Sequence, residues 1–486
     1  MPLIDIPFGE WLPSKGSFKN PGCEVADNVI PTPGMYSPFP MLIGQSQTVT
    51  GAVKGAAQMF NATGSIIVGG TDDRLFIRGS TITQTTGLSS IGAGEAWDFA
   101  RFNAFVFATA ANNDPQYLDN IDSDTSWSAL PGSPPAAKRC AKVGDFLMLG
   151  DCDGVPHRLQ WSAFNNPAGS WAASRLTQAG SVDLDPNLGG IQRIVGGRYA
   201  TVFQQRGIQR ISYVGPPQVW RADIVSVDRG AVAPFAVVPV GYTTYFFAQD
   251  GFYVTNGSSV ENIGNSRIDR WFFENANQAR LAEMQGAIDW QNESIVWAFC
   301  GEGSETFNRL LVYSWSQNRF STATVPVGWV VGSQLDGVDL DSLDAIYTDL
   351  DSIPLSLDSA EFRPRDRRLS AFVTGASTSE YSTFTGTPMK ATFETGEFQP
   401  SPHQSVYVSE VSPIMDADEW DALFTLIMRD NKGNLTFSNE TPIGNNGFSP
   451  IEGEGKKATI RMVKPAGTVW DNAQGVHVRF QPAGFN

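Results

Sequence analysis

Short apolar runs, each followed by a turn and a second apolar run, recur along the first three quarters of the chain. Ser65 to Gly70 leads through Thr71, Asp72 and Asp73 into Leu75-Phe76-Ile77, and Phe105-Val106-Phe107 leads to Tyr117-Leu118. Gly144 to Leu149 turns at Asp153-Gly154, and Thr201-Val202-Phe203 precedes Gly207 to Ile211. Tyr245-Phe246-Phe247 turns at Asp250-Gly251 into Phe252-Tyr253-Val254, and an Asp-Gly pair between apolar runs is a strong hairpin signal. Ser294 to Phe299 returns as Leu310 to Trp315. Taking Ile66, Phe105, Phe146, Val202, Phe246 and Val296 as markers, the steps are 39, 41, 56, 44 and 50 residues. A four-stranded propeller blade takes about 40–50 residues, so the period predicts a mainly β protein built on a β-propeller of about six to seven blades. A seventh hairpin is expected near Leu369 to Val373. A long β-sandwich would show similar hairpins, and the period is what favours the propeller.

Between Trp329 and Ala360 the texture changes to recurring Leu-Asp pairs, the last three at Leu343, Leu350 and Leu357. The stretch reads as an inserted arm near residues 330–360, its leucines packed and its aspartates solvated. It lacks the order of an EF-hand loop. Arg363, Arg365, Arg367 and Arg368 follow, interleaved with Glu361 and Asp366, and predict a salt-bridged face. From Ala391 onward strand-like runs continue without a blade period. The expected organisation is therefore an extended N-terminal arm over 1–45, a propeller over 46–390 and a small C-terminal β domain over 391–486.

Composition sharpens this. Only 17 % of the 486 residues are charged, while 48 Gly and 30 Pro suit many short strands joined by turns. The formal charge of −16 argues against a groove that grips phosphates, but suits either a channel wall past which DNA slides or simple solubility. Cys23, Cys140, Cys152 and Cys300 show no metal-ligand spacing and read as buried, reduced thiols. The longest apolar stretch, Ala231 to Phe247, is cut by Pro234, Pro239 and Gly241 and is no membrane span. No basic, apolar leader is visible at the N-terminus, which predicts a soluble protein made in a cytoplasm.

Catalytic and cofactor signatures are missing. His157, His403 and His477 are scattered, no Gly-x-Ser-x-Gly elbow is present, and Gly453 to Lys457 lacks the upstream glycine and following Ser or Thr of a phosphate loop. Ser226 to Gly230 opens like the Asp box of propeller glycosidases, but Ala233 stands where an aromatic belongs and the motif does not recur. The sequence points to a non-enzymatic protein with no cofactor and no metal.

Two patches resemble one family. Phe8-Gly9-Glu10-Trp11-Leu12-Pro13, then Asn20 to Cys23, Ala26 to Pro31 and Tyr36 to Pro40, are similar to the opening of the tail nozzle, or packaged-DNA stabilization, proteins of short-tailed bacteriophages. Asp228 to Ala231, Tyr245-Phe246-Phe247, Asp250 to Tyr253, Ile263-Gly264 and Arg270-Trp271-Phe272-Phe273 resemble the middle of the same family, as does the Leu-Asp segment. The resemblance covers most of residues 1–400 in patches, none of them a catalytic signature. It implies a virion structural protein, assembled in the host cytoplasm as a homo-oligomer, a hexameric ring, of the phage tail. Such a ring retains genomic DNA and conducts it during ejection without sequence-specific binding, with an adaptor protein above it and fibre or needle proteins around or below. A receptor- or glycan-binding propeller at the tail tip is the alternative. In the tail reading, the prolines between Pro13 and Pro40 keep the first segment out of central strands, and Phe8, Trp11, Tyr36 and Phe39 are the expected contacts to a neighbouring subunit. Packing of the same segment on its own propeller is the competing expectation.

Overall fold

The computed structural model describes residues 3–17, 20–62, 64–79, 81–334, 367–401, 404–417, 421–430 and 432–483. The Leu-Asp arm, Arg363, Arg365 and His403 lie outside the described residues.

The described residues form seven four-stranded antiparallel meanders, the blades of a β-propeller. Their first strands are Ala56–Phe60, Asp98–Phe102, Ala137–Val143, Ile191–Val195, Val238–Val240, Gln285–Asp289 and Trp329–Gln334. These strands pack on one another around the axis, and Ala56–Phe60 lies against both Asp98–Phe102 and Trp329–Gln334, which closes the ring. The recurrent hairpins of the sequence are the second and third strands of each blade, as in Val106 opposite Leu118, Phe247 opposite Phe252 and Trp297 opposite Leu311. The second strands are sandwiched between neighbouring blades, so both of their faces are apolar and they read as near-continuous hydrophobic runs, as in Phe105–Thr109 and Ser294–Phe299, whereas third strands such as Val155–Trp161 and Thr378–Pro388 carry polar residues. At the Asp250-Gly251 turn, Gly251 has φ +144°, and a Cβ there would fall 2.3 Å from the buried Asp269 carboxyl group. Only glycine fits that corner.

The seventh blade is made from both ends of the chain. Trp329–Gln334, Arg367–Thr374 and Thr378–Pro388 supply three strands, and the fourth is Pro40–Thr50, antiparallel to Thr378–Pro388. Gln334 and Arg367, which flank the 335–366 segment, stand opposite each other in this blade.

The N-terminal residues are not a free arm. Leu3–Pro7 pairs with Trp470–Pro482, and Cys23–Asp27 pairs with Ala391–Thr395. The hairpin of Val29–Thr32 and Met35–Pro38 joins the same sheet as Trp470–Pro482 through Tyr36 and Ala473. N- and C-terminal residues thereby build a β-sandwich together. One of its sheets runs on from the sixth blade, because Asp27 pairs in parallel with Thr322 of Arg319–Thr324. The junction is further fastened by Asn28, whose N–H donates to the Thr322 carbonyl (2.7 Å) while its side-chain oxygen accepts from the Thr324 N–H (2.7 Å). A single apolar core spans the sandwich and the fifth and sixth blades, with Phe393, Phe424 and Val476 on one side and Phe252, Phe272 and Trp297 on the other.

All four cysteines are buried and unpaired. Among the described residues no group of His, Cys, Asp and Glu could hold a metal ion, and no helix is long and apolar enough to cross a membrane.

Candidate functional site

The four residues expected to reach a neighbouring subunit are enclosed by their own chain. Phe8 stacks on Phe393 with ring centroids 4.5 Å apart, and Tyr36 sits on the same ring while its hydroxyl donates to the Gly9 carbonyl (2.8 Å). Trp11 meets Trp271 edge to face at 4.7 Å and its indole N–H donates to the Glu24 carbonyl (3.0 Å). Phe39 packs edge to face on Phe384 in the seventh blade (5.3 Å). None is more than 2 % exposed, so their apolar surface is consumed inside the molecule and the adhesive-arm expectation is corrected to an internal joint. An aromatic between prolines looks the same in sequence whether it fills its own core or a partner's, and here the partners, Trp271, Phe384 and Phe393, lie 260 to 385 residues away.

The axis of the propeller holds a plug. Phe235, in the connection between the fourth and fifth blades, is half-buried with Arg139 of the third blade 5.1 Å from its ring centroid and Arg193 of the fourth 5.3 Å away. Trp329 of the seventh blade meets the same ring edge to face (5.3 Å), and the Phe235 carbonyl accepts from the Gly286 N–H of the sixth (2.8 Å). One side chain thus touches blades on opposite sides of the ring. Around it, Arg193 pairs with the buried Asp98 of the second blade (2.6 Å), and Arg139 Nε donates to the Gln192 carbonyl (2.7 Å). Burial holds the Arg139 guanidinium below its ordinary range, with Asp98 opposing that shift. The sequence signal was the Ala231 to Phe247 run, too proline-broken for a single strand.

A second feature is a cleft of ≈ 580 Å³ between the third and fourth blades. It opens on the face that carries the turns from first to second and from third to fourth strand. Gly144 and Asp145 come from the first turn of the third blade, Arg198 and Tyr199 from the first turn of the fourth, and Tyr213 and Trp220 from either side of the fourth blade's last turn. Phe146 forms its floor, with Trp220, Phe164 and Tyr213 around it at centroid distances of 5.3, 5.5 and 5.8 Å. Phe164 and Tyr213 remain nearly half exposed. The Arg210 guanidinium lies 4.2 Å over the Tyr199 ring. Two donors in these walls, Arg210 Nε and Trp220 Nε1, are buried and have no acceptor among the described residues. Sequence reading missed the cleft because its residues are spread over Asp145 to Trp220 in no motif.

The fold and these features define a seven-bladed β-propeller fused to a β-sandwich. No protein-family model matches the chain, and no curated protein does. Among solved structures, the extracellular domain of BT4673 from B. thetaiotaomicron is similar at 11 % identity and a TM-score of 0.39, over 83 % of this chain and 46 % of that one. YCF48 bound to D1 peptide is similar at 11 % identity and 0.37, over 72 % of this chain and 97 % of that one. BamB from Moraxella catarrhalis is similar at 10 % identity and 0.30, over 73 % and 95 %. The chain thus spans under half the length of the BT4673 domain. The propeller is read from the sheets themselves, since superpositions this loose carry no argument.

Proposed function

We propose that this chain is a non-enzymatic structural subunit of a short phage tail, assembled with copies of itself as a nozzle ring that retains and conducts DNA. One observation carries the reading: the two sequence patches that resemble the tail nozzle family, some 250 residues apart, meet at one joint. Trp11 of the first patch packs on Trp271 of the second, and Phe8, Cys23 and Tyr36 share one apolar core with Tyr245, Phe247, Phe252 and Phe272; the flanking residues Arg267, which pairs with Glu10, and Ser14, whose Oγ accepts from the Trp271 N–H (3.1 Å), fasten the joint. Residues shared with a family for the sake of a common architecture should converge in this way, whereas chance matches should scatter.

The plugged axis adds a constraint on the mechanism. A duplex has no path past Phe235, so the conduit is the space enclosed by the ring of subunits, not the hole of a propeller. Each subunit brings −16 to that ring, and a surface that gains nothing from phosphate neutralisation lets a polyanion slide.

Mass spectrometry of purified virions together with electron cryo-microscopy of the tail tests the proposal. The expected result is the chain at about six copies per particle, with its propellers arranged around the tail axis. Its absence from virions, or tight salt-dependent binding of duplex DNA by the purified protein, would overturn it.

A further inference from the structure

The cleft between the third and fourth blades has the chemistry of a ligand site, independently of any role in a tail. Arg198 and Arg210 both line it, and neither has a carboxylate within ion-pair distance among the described residues. In this acidic chain guanidinium groups elsewhere commonly find one, as Arg158 does with Asp183 and Arg229 with Asp250. Arg210 is held by stacking on Tyr199 instead, which fixes its plane while leaving its hydrogen-bonding edge without an acid. Its buried Nε and the buried indole N–H of Trp220 both lack an acceptor among the described residues, as do buried donors elsewhere such as Trp127 Nε1 and Trp470 Nε1, so the open guanidinium edges rather than these two atoms mark the site.

The rest of the wall narrows the occupant. Phe164 and Tyr213 offer partly exposed ring faces beside Trp220, a surface for the C–H face of a ring-shaped ligand. Ser212 and the Tyr213 and Tyr199 hydroxyls supply neutral polar groups, and Asp145 at the mouth supplies an acceptor for hydroxyl donors. A carboxylate in that place repels a phosphate dianion more than a single carboxylate, and it rewards a polyhydroxylated ligand. The volume lies within the range typical of small-ligand sites.

We propose that this cleft binds an acidic saccharide, its carboxylate on Arg198 and Arg210, its ring against Phe164, Tyr213 and Trp220, and its hydroxyls on Asp145 and Ser212. The test is calorimetric or saturation-transfer titration of the full chain with digalacturonate, with neutral digalactose and AMP as comparators, at ligand concentrations to about 10 mM. Digalacturonate is expected to bind at least about tenfold more tightly than digalactose, and Arg198→Ala and Tyr213→Ala are each expected to weaken it about tenfold. Arg198 is exposed, so Arg198→Ala should keep the wild-type melting profile; Tyr213→Ala also gives up ring contacts with Phe146 and Trp220 and a hydrogen bond to Gln178, so its melting profile is measured alongside and affinities are compared well below its midpoint. Equal binding of the two disaccharides, tighter binding of AMP, retention of affinity in both variants, or no binding by any probe would each overturn the proposal.

Discussion

Replacing Phe235 by alanine is the sharpest perturbation of the ring. The side chain closes the axis against Arg139, Arg193 and Trp329, so the substitution removes an apolar filler, two cation–π contacts and one aromatic pair together. Truncating a buried Phe costs about 3–5 kcal/mol. A half-buried position belongs below that range, at about 2–3 kcal/mol. The cation–π contacts contribute about 0.5–1 kcal/mol each and the ring pair about as much, with incomplete additivity. The expected loss is therefore about 3–4 kcal/mol, with Arg139 left buried without its aromatic partner. Phe235→Leu keeps most of the volume and loses the π face, so about 1–2 kcal/mol is expected. Denaturant unfolding of the three proteins followed by tryptophan fluorescence measures both numbers. A cost below about 1 kcal/mol for alanine, or an equal cost for leucine and alanine, would refute the account of Phe235 as a packed plug.

Trp11→Ala, once the N-terminal segment is seen as an internal joint, should destabilise the isolated subunit by about 3–5 kcal/mol, which thermal unfolding of the monomer checks; unchanged stability would restore the adhesive arm. Burial pushes the Asp269 carboxyl group up to about 6, against hydrogen bonds from the Phe252 N–H and the Asn262 side chain. Because the folded value lies above the unfolded one, its stabilising contribution is complete below the ordinary carboxylate range and is lost as pH rises through about 6. Asp269→Asn should thus gain about 2 kcal/mol at pH 7.5 and little at pH 4, and equal effects at both pH values in denaturant titrations would rule this out. Since Gln334 and Arg367 stand opposite each other, a short turn replacing residues 335–366 should close the hairpin and keep cooperative unfolding, whereas insoluble protein would show that the segment is needed for folding.

What the sequence disclosed depends on where each strand sits. The second strands of the blades are apolar on both faces, so Phe246 and Val296 announced them. The first strands were invisible because they line the axis and carry the charges that tie blades together: Lys138 and Arg139 in one, Arg193 in the next. Fourth strands such as Ser128–Ala129 are too short and polar to register. The N-terminal joint was misread for a different reason. Asn28 donates its side-chain N–H to the Lys390 carbonyl, and nothing local to either residue signals a partner that far along the chain. The cleft is the extreme case, since Phe146, Arg198 and Trp220 acquire a common meaning only after two blades have packed.

The clasp in the seventh blade also sets the order of events during synthesis. Pro40–Thr50 leaves the ribosome long before Thr378–Pro388, its partner in that blade, exists. At about 5–20 residues per second the wait is roughly 15–65 s. A solitary strand edge held open that long invites pairing with other nascent chains. The middle of this strand reads Gly44-Gln45-Ser46-Gln47-Thr48, polar throughout and mostly solvent-facing even in the finished protein. That polarity suits a segment that must stay innocuous until the last blade is translated, so the circle is completed by a strand made long before the three it joins.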